Sequence, residues 1–336
     1  MNPFDTIDRC CYAGAIVLDA LSSVTGLHCE ETPRQAPMEL RHLRYFLAIA
    51  ELNNLSRAAE TMCVAQSTLS HALHQLEEEL GAALFDRVGR GIRLTQAGRI
   101  FRDYATRACN ETMHAKRAVQ ELNALEAGTF TVGAIPVFPL SFLPNAVASF
   151  NQRYPKVRIS VRDLLAAELE ESLALGTLEL GLAFHPASRD DVESEYLFTE
   201  RLVLAVGRSN PLAKKRRIQW KALDSIPLAL LTSRFSTRIL IEETFRSVGA
   251  HLAVAVEMDT AEALLAVAAE GQLATIVPES AGARFEHVHL LRVTGPELSR
   301  DLGLLWSKRT GRTRAASMFA DMLRSLSTKP ADRSRA

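Results

Sequence analysis

Three stretches between residues 40 and 80 carry apolar side chains at helical spacing, and the connections between them are too short for anything but a tight bundle. From Leu40 to Leu52 the apolar positions Leu43, Phe46, Leu47, Ile49 and Ala50 recur along one face of a helix. Ser56 is placed to cap a short helix over Arg57–Met62. A turn at Cys63–Ala65 leads into a longer helix from Gln66 to Leu80, which Gly81 ends. Leu84–Arg87, the turn Gly89-Arg90-Gly91 and the short strand Ile92–Leu94 follow, and Thr95 caps a further helix that runs to about Leu125. Two short helices joined by a tight turn and followed by a β-wing predict a winged helix-turn-helix.

The second helix of that pair has two unlike faces. Leu69, Ala72, Leu73 and Leu76 belong in a core, whereas Gln66, Ser67, Ser70, His71 and His74 lie opposite. That opposite face is small and polar at its N-terminal end, which suits insertion into a DNA major groove. Glutamine pairs bidentately with adenine, and serine and histidine reach base edges or phosphates. The wing offers Arg87, Arg90 and Arg93 around two glycines for phosphate or minor-groove contact, and Arg57 adds another cation. A competing reading is a solvated helical hairpin with scattered arginines. Total charge does not separate the two, because 39 Lys and Arg are balanced by 39 Asp and Glu. Locally, Glu77, Glu78 and Glu79 offset much of the basic charge, but they sit at the far end of the helix from the polar face.

The long helix that follows carries Phe101, Ala105, Ala108, Thr112, Ala115, Val119 and Leu122 at alternating four- and three-residue spacing, the pattern of an a/d seam. Packing on its own domain is one account of that seam. The length of the helix and its position between two domains favour dimerisation. From residue 128 onward, strand candidates alternate with helical stretches, which predicts an α/β fold with mainly parallel strands. The candidates are Thr129–Ala134, Val157–Arg162, Leu178–Phe184, Arg201–Val206, Pro227–Leu231, Ala253–Met258, Leu273–Val277 and Gly303–Trp306. The polar tail 328–336 is expected to fray.

Several classes of function are disfavoured. The five cysteines, Cys10, Cys11, Cys29, Cys63 and Cys109, include no CxxC pair, so neither a disulfide framework nor a metal site is expected. No cofactor is expected, and no nucleophile-elbow, dinucleotide, phosphate-loop or zinc-helix motif supports an enzyme. No segment is apolar for the length of a membrane span, and the N-terminus lacks the basic start of a signal peptide, so a cytoplasmic protein is expected. Residues 1–37 read unlike the rest and end in the turn-rich Thr32–Pro37. They are expected to be either a flexible extension or a stretch upstream of the true start, and the abrupt change of pattern favours Met38 as the translation start.

Residues 38–98 resemble the N-terminal domain of the LysR-type transcriptional regulators. The resemblance rests on Leu43-Arg44-Tyr45-Phe46-Leu47-Ala48-Ile49-Ala50-Glu51, Ser56-Arg57-Ala58-Ala59-Glu60 and Val64-Ala65-Gln66-Ser67-Thr68-Leu69-Ser70. It continues through Leu76–Gly81, Leu84-Phe85-Asp86-Arg87 and Arg93-Leu94-Thr95-Gln96-Ala97-Gly98, and extends to about residue 326. It implies a DNA-binding domain at 38–96, a dimerising linker helix at 97–127 and a two-lobed effector domain at 128–327 like a periplasmic binding protein. Lobe one is then about 128–198 with 301–327, and lobe two about 199–300. The implied partners are double-stranded DNA bearing an interrupted palindrome, a small-molecule effector, other copies of the chain as a dimer or dimer of dimers, and RNA polymerase when activating. One departure is Ala65, where the family has Ser or Thr; losing that N-cap weakens the helix start by about 1 kcal/mol.

The resemblance also implies that effector contacts come from three loops after strands: Pro136-Val137-Phe138, the loop at Leu165, and Thr232–Arg238. In the last, Thr232, Phe235, Thr237 and Arg238 are candidates, with Arg234 or Arg238 forming a fork to a carboxylate. An ordinary strand-to-helix connection capped by Thr237 accounts for the segment equally well. The Phe-x-Thr-Arg pattern most resembles the branch containing the cyanate-operon regulator. Val137, Pro139, Leu140 and Leu165 stand where related proteins carry hydroxyl residues, so the expected effector is larger or more hydrophobic than a simple inorganic anion. The run Lys214-Lys215-Arg216-Arg217 reads as a solvated loop.

Overall fold

The computed structural model describes residues 38–88, 91–123, 128–138 and 143–327. The expected extension 1–37, Arg90 of the wing, Pro139, Leu140 and the tail lie outside the described residues, as does the side chain of Leu122.

The N-terminal head contains α1 (Leu40–Leu52), α2 (Leu55–Thr61), α3 (Gln66–Leu80), the antiparallel hairpin of β1 (Phe85–Val88) and β2 (Gly91–Leu94), and the start of α4 (Gln96–Asn123). Its core is built round Phe46, whose ring lies 5.4 Å from that of Phe85 and 5.0 Å, edge-on, from that of Phe101. Leu43, Leu76, Leu84 and Ala105 close this cluster, and Ile49, Ala58, Ala59 and Leu69 form a second one. Gly81 ends α3 at φ 64°, a left-handed conformation that favours glycine. Gly98 is required by close approach, because a Cβ there would lie 2.1 Å from the Leu84 carbonyl oxygen. Thr95 caps α4 as expected, accepting the Gly98 N–H at 2.9 Å.

The cap of α2 differs from expectation. Asn53 turns the chain through the left-handed region at φ 49°, which makes Asn54 the extended residue at the N-cap. The Asn54 side chain accepts the Arg57 N–H at 3.0 Å. Ser56 therefore lies inside the first turn, where its hydroxyl donates to Gln66 Oε1 at 3.1 Å.

The C-terminal domain has two lobes that share two strands. In lobe one, β3 (Gly128–Ala134) lies between β4 (Val157–Asp163) and β5 (Leu180–Phe184), all parallel, with α5 (Leu143–Arg153) and α6 (Ala166–Ala174). The chain crosses to lobe two along β6 (Val192–Gly207). There β8 (Pro227–Leu231) pairs in parallel with β9 (Ala253–Met258) and β10 (Ala274–Pro278), alongside α7 (Ser236–Ser247) and α8 (Ala261–Glu270). β11 (Val288–Thr294) pairs with β6 and with the short β7 (Arg217–Gln219). The chain returns along β12 (Ser299–Ser307) and leads into α9 (Arg314–Ser327). The sheet is therefore mixed rather than mainly parallel: at its centre β6 runs antiparallel to β10, β11 and β12, and β12 antiparallel to β5.

Strand β6 is longer than its apolar run suggests. Leu202–Val206 is buried continuously, as expected of a strand covered on both faces. The preceding half is punctuated by Glu193, Glu195 and Glu200, and its burial alternates. Glu200 sits at the crossover, is 8% exposed and accepts the Ser280 N–H at 3.0 Å. Burial pushes its carboxyl above the ordinary carboxylate range, against the opposing pull of the Ser280 hydrogen bond.

Two measurements check these assignments. Asn54→Ala is expected to destabilise the head by about 1 kcal/mol in urea unfolding, and Ser56→Ala by no more than about 0.5 kcal/mol. Because the folded state raises the pKa of Glu200, its favourable contribution exists below the ordinary carboxylate value and is lost as pH rises through the folded value. Glu200→Gln is therefore expected to raise Tm at neutral pH, with the gain closing as pH falls below the carboxylate range.

Candidate DNA-reading surface and interlobe cleft

Helix α3 presents the polar face anticipated from its sequence. Leu69, Ala72 and Leu76 are buried, which fixes the helix against α1 and α2, while Gln66, Ser67, Ser70, His71 and His74 are exposed. His74 lies 3.3 Å from Glu78, one turn later on the same exposed surface. Ala65 occupies the N-cap in extended conformation with no side-chain cap, so the first N–H groups of α3 face outward without a side-chain acceptor. Arg57 on α2 and Arg87 and Arg93 on the wing are exposed. Arg87 stands in register with Ile92, and Arg93 with Asp86. Among the described residues none of these three arginines has a carboxylate within 4.0 Å.

The linker helix divides its residues between two neighbours. Phe101 and Ala105 pack into the core of the head, which removes the first two members of the expected seam from an intermolecular face. The apolar positions left exposed on that stretch are Ile100, at 57%, and Tyr104, at 63%. Ala108, Thr112, Ala115 and Val119 are exposed and continue the stripe. Farther along, Asn110 Nδ2 donates to the Leu175 carbonyl at 2.8 Å, and His114 Nε2 lies 2.9 Å from the Gly176 carbonyl. These two bonds seat α4 on the turn between α6 and β5.

Strand ends from both lobes converge on a cleft. Pro136 after β3, Leu164 and Leu165 after β4, and Arg234 and Phe235 after β8 line a cavity of about 300 Å³. The cavity also takes in Asp259 and Thr260 after β9, a strand end that the sequence reading left out. Thr232 stands beside it and donates to Asp259 Oδ1 at 2.8 Å. The remaining expected contacts are placed elsewhere. Phe138 is fully buried in lobe one against Phe198, with ring centroids 6.0 Å apart, and Val137 packs on the same core. Thr237 is half-buried inside α7, whose N-cap is Phe235, so it is not the cap. Arg238 is 6% exposed. It donates to Glu242 at 2.7 Å, to Glu257 at 2.8 Å and to the Leu231 carbonyl at 2.7 Å. With Nε and Nη1 engaged inside lobe two and the side chain buried, it serves first as a structural tie within that lobe.

A larger cavity of about 670 Å³ adjoins this one in sequence at Ala166 and Ser236. Its wall includes Phe184, His185, Leu240 and Arg300. Arg300 comes from the start of β12, more than sixty residues from the α7 segment it meets, and only the crossover brings them together. No local pattern in the sequence marks it.

Comparison with known proteins agrees with both halves of the chain. The family described as bacterial regulatory helix-turn-helix protein, lysR family, matches residues 40–99, and the LysR substrate binding domain matches residues 123–327. The HTH-type transcriptional regulator YybE of Bacillus subtilis is 27% identical over 271 residues, covering 81% of this chain and 93% of that protein. Full-length OxyR of Pseudomonas aeruginosa superposes with a TM-score of 0.67 at 24% identity, covering 86% of this chain and 95% of that one. Full-length CbnR in complex with its target DNA superposes with a TM-score of 0.64 at 25% identity, covering 86% and 99%.

The exposed stripe on α4 carries its own test. Tyr104→Asp combined with Val119→Asp is expected to convert dimers to monomers in sedimentation, with the stability of the head changed by no more than about 0.5 kcal/mol. Phe101→Ala, in contrast, is expected to destabilise the head by about 3 kcal/mol.

Proposed function

The chain belongs to the LysR family of bacterial helix-turn-helix regulators, and from that premise we propose how its own residues read DNA and sense an effector. It is a DNA-binding transcription regulator with an effector-binding C-terminal domain. In our reading α3 enters the major groove and Gln66, Ser67, Ser70, His71 and His74 meet base edges and phosphates. Arg57, Arg87, Arg90 and Arg93 hold the backbone. The observation that carries this is the pairing of a buried Leu69-Ala72-Leu76 face with a fully exposed polar one on a single helix.

Dimerisation runs through the α4 stripe from Ile100 to Val119, and two heads side by side read an interrupted palindrome. CbnR, a relative of similar fold, is known bound to its target DNA. The effector sits between the lobes, in the cleft whose smaller cavity is bordered by Pro136, Leu165 and Phe235 with Thr232 at its edge. We assign the C-terminal domain a binding role rather than a catalytic one, and the protein to the cytoplasm. No described helix is long and apolar enough to cross a membrane. The resemblance to the cyanate-operon branch rested on Phe235, Thr237 and Arg238. Since Arg238 is held by Glu242 and Glu257, that pattern supports the architecture of lobe two and not a shared effector.

Binding titrations on operator and random duplexes separate the two kinds of contact. Gln66→Ala is expected to cost about 1–3 kcal/mol on the operator and nearly nothing on random DNA. Arg93→Ala is expected to weaken both alike and to lower the slope of log K against log salt by about 0.9. An equal loss from Gln66→Ala on both duplexes overturns the assignment of α3 as the reading helix.

A further inference from the structure

The arginines that line or border the cleft are neutralised, with one exception. Arg189 meets both oxygens of Asp191 at 2.8 and 3.0 Å. Arg238 lies between Glu242 and Glu257, and Arg234 lies 3.5 Å from Asp259. Among the described residues Arg300 has no carboxylate within 4.0 Å. It is half-buried, and burial works against its charge. Its Nη2 donates to the Ser236 carbonyl at 2.7 Å, and its guanidinium carbon lies 4.2 Å from the centre of the Phe184 ring.

Three carboxylates nearby are turned elsewhere, and Glu243 supports the charge only from beyond 4.0 Å. Glu200, the cross-strand partner of Arg300 in register, accepts the Ser280 N–H. Asp301 accepts the Thr199 hydroxyl at 2.6 Å. Glu170 accepts the N–H groups of Ser188 and Arg189. The guanidinium therefore faces the 670 Å³ cavity with most of its five donors open and no carboxylate in direct contact, Glu243 acting on its charge only from beyond 4.0 Å. A desolvated cation without a partner is costly, and a bidentate anion relieves that cost with directed bonds. Helix α7 adds to the same end of the cavity: it begins at Ser236 without a side-chain cap, so its first turn favours negative charge.

We propose that Arg300 is the anchor for a carboxylate group of the effector, whose apolar body lies against Ala166, Phe184 and Leu240. The proposal rests on reading the C-terminal domain as an effector module and names the chemical class that module takes. Arg300 touches Phe184 of lobe one and Ser236 of lobe two at once. A carboxylate held there joins both lobes through one side chain, so its arrival favours one interlobe angle over others.

The test uses the full-length protein and two probes of matched length, sodium hexanoate and hexylammonium chloride, at constant ionic strength. Hexanoate is expected to raise the Tm of the wild type saturably, with half-saturation shifted at least ten-fold in Arg300→Gln. Arg300→Lys, which keeps the charge and loses the fork, should show a smaller shift and serves if Arg300→Gln does not fold. Arg312→Gln, outside both cavities, is expected to respond as the wild type does. The proposal is overturned if Arg300→Gln responds like the wild type, if hexanoate has no effect on the wild type, or if only hexylammonium stabilises it. Operator affinity measured alongside separates this failure from the broader one. Normal DNA binding with no carboxylate response removes the anchor and leaves the regulator reading intact. Absent operator binding by the wild type removes the regulator reading itself.

Discussion

The antiparallel ladder between β6 and β12 ties the C-terminal domain together. Along it, Val192–Arg201 pairs with Ser299–Ser307, and β6 then continues without a break between β10 and β11. One strand thus contributes Leu197 to the core of lobe one and Leu202, Leu204 and Val206 to that of lobe two. Neither lobe can be rotated freely, because each is stitched to the same two strands. The two sheets meet around Phe198–Arg201 and Ser299–Leu302, and a register shift between Leu302 and Gly303 interrupts the ladder there. The polar groups of this short stretch are Glu200, Arg201, Arg300 and Asp301.

The same ladder explains why the charges of the cleft are unevenly settled. Side chains on one lobe find partners within that lobe, as Arg238 does with Glu242 and Glu257, and Arg189 with Asp191. Arg300 belongs to neither lobe alone. Its contacts are an aromatic face from one side and a carbonyl from the other, both neutral. A cation at a hinge that lacks a carboxylate is held in place by geometry more than by charge, which leaves its electrostatics for whatever enters the cleft.

Much of the head was legible in the sequence because its signals are local. Helical periodicity located α1 and α3, Gly81 and Thr95 marked an end and a beginning, and the division of α3 into buried and polar faces followed from spacing alone. The cap of α2 was misplaced because Asn54 and Ser56 are both good caps, and only the left-handed turn at Asn53 decides between them. The seam on α4 was half legible. A heptad pattern reports that a face is apolar and not whose core it enters, and Phe101 and Ala105 enter their own. In the C-terminal domain the parallel strands stood out as apolar runs. The charged half of β6 and all of β11 did not, and with them went the antiparallel centre of the sheet. Arg238 looked available because its partners, Glu242 and Glu257, come from the next helical turn and from another strand. Arg300 was invisible because its importance depends on what is missing around it in space.

The seat of α4 on lobe one acts as the fulcrum of a lever. Asn110 and His114 fix the middle of the helix to the turn at Leu175–Gly176, and the head is packed round its other end. From Asn110 back to Gln96 the helix rises about 21 Å at roughly 1.5 Å per residue. A tilt of lobe one by about 10° therefore swings the start of α4, and the head with it, by about 4 Å. That displacement is close to the rise of one base pair, about 3.4 Å. A tilt of that size at lobe one is thus comparable, at the reading head, with one base-pair step.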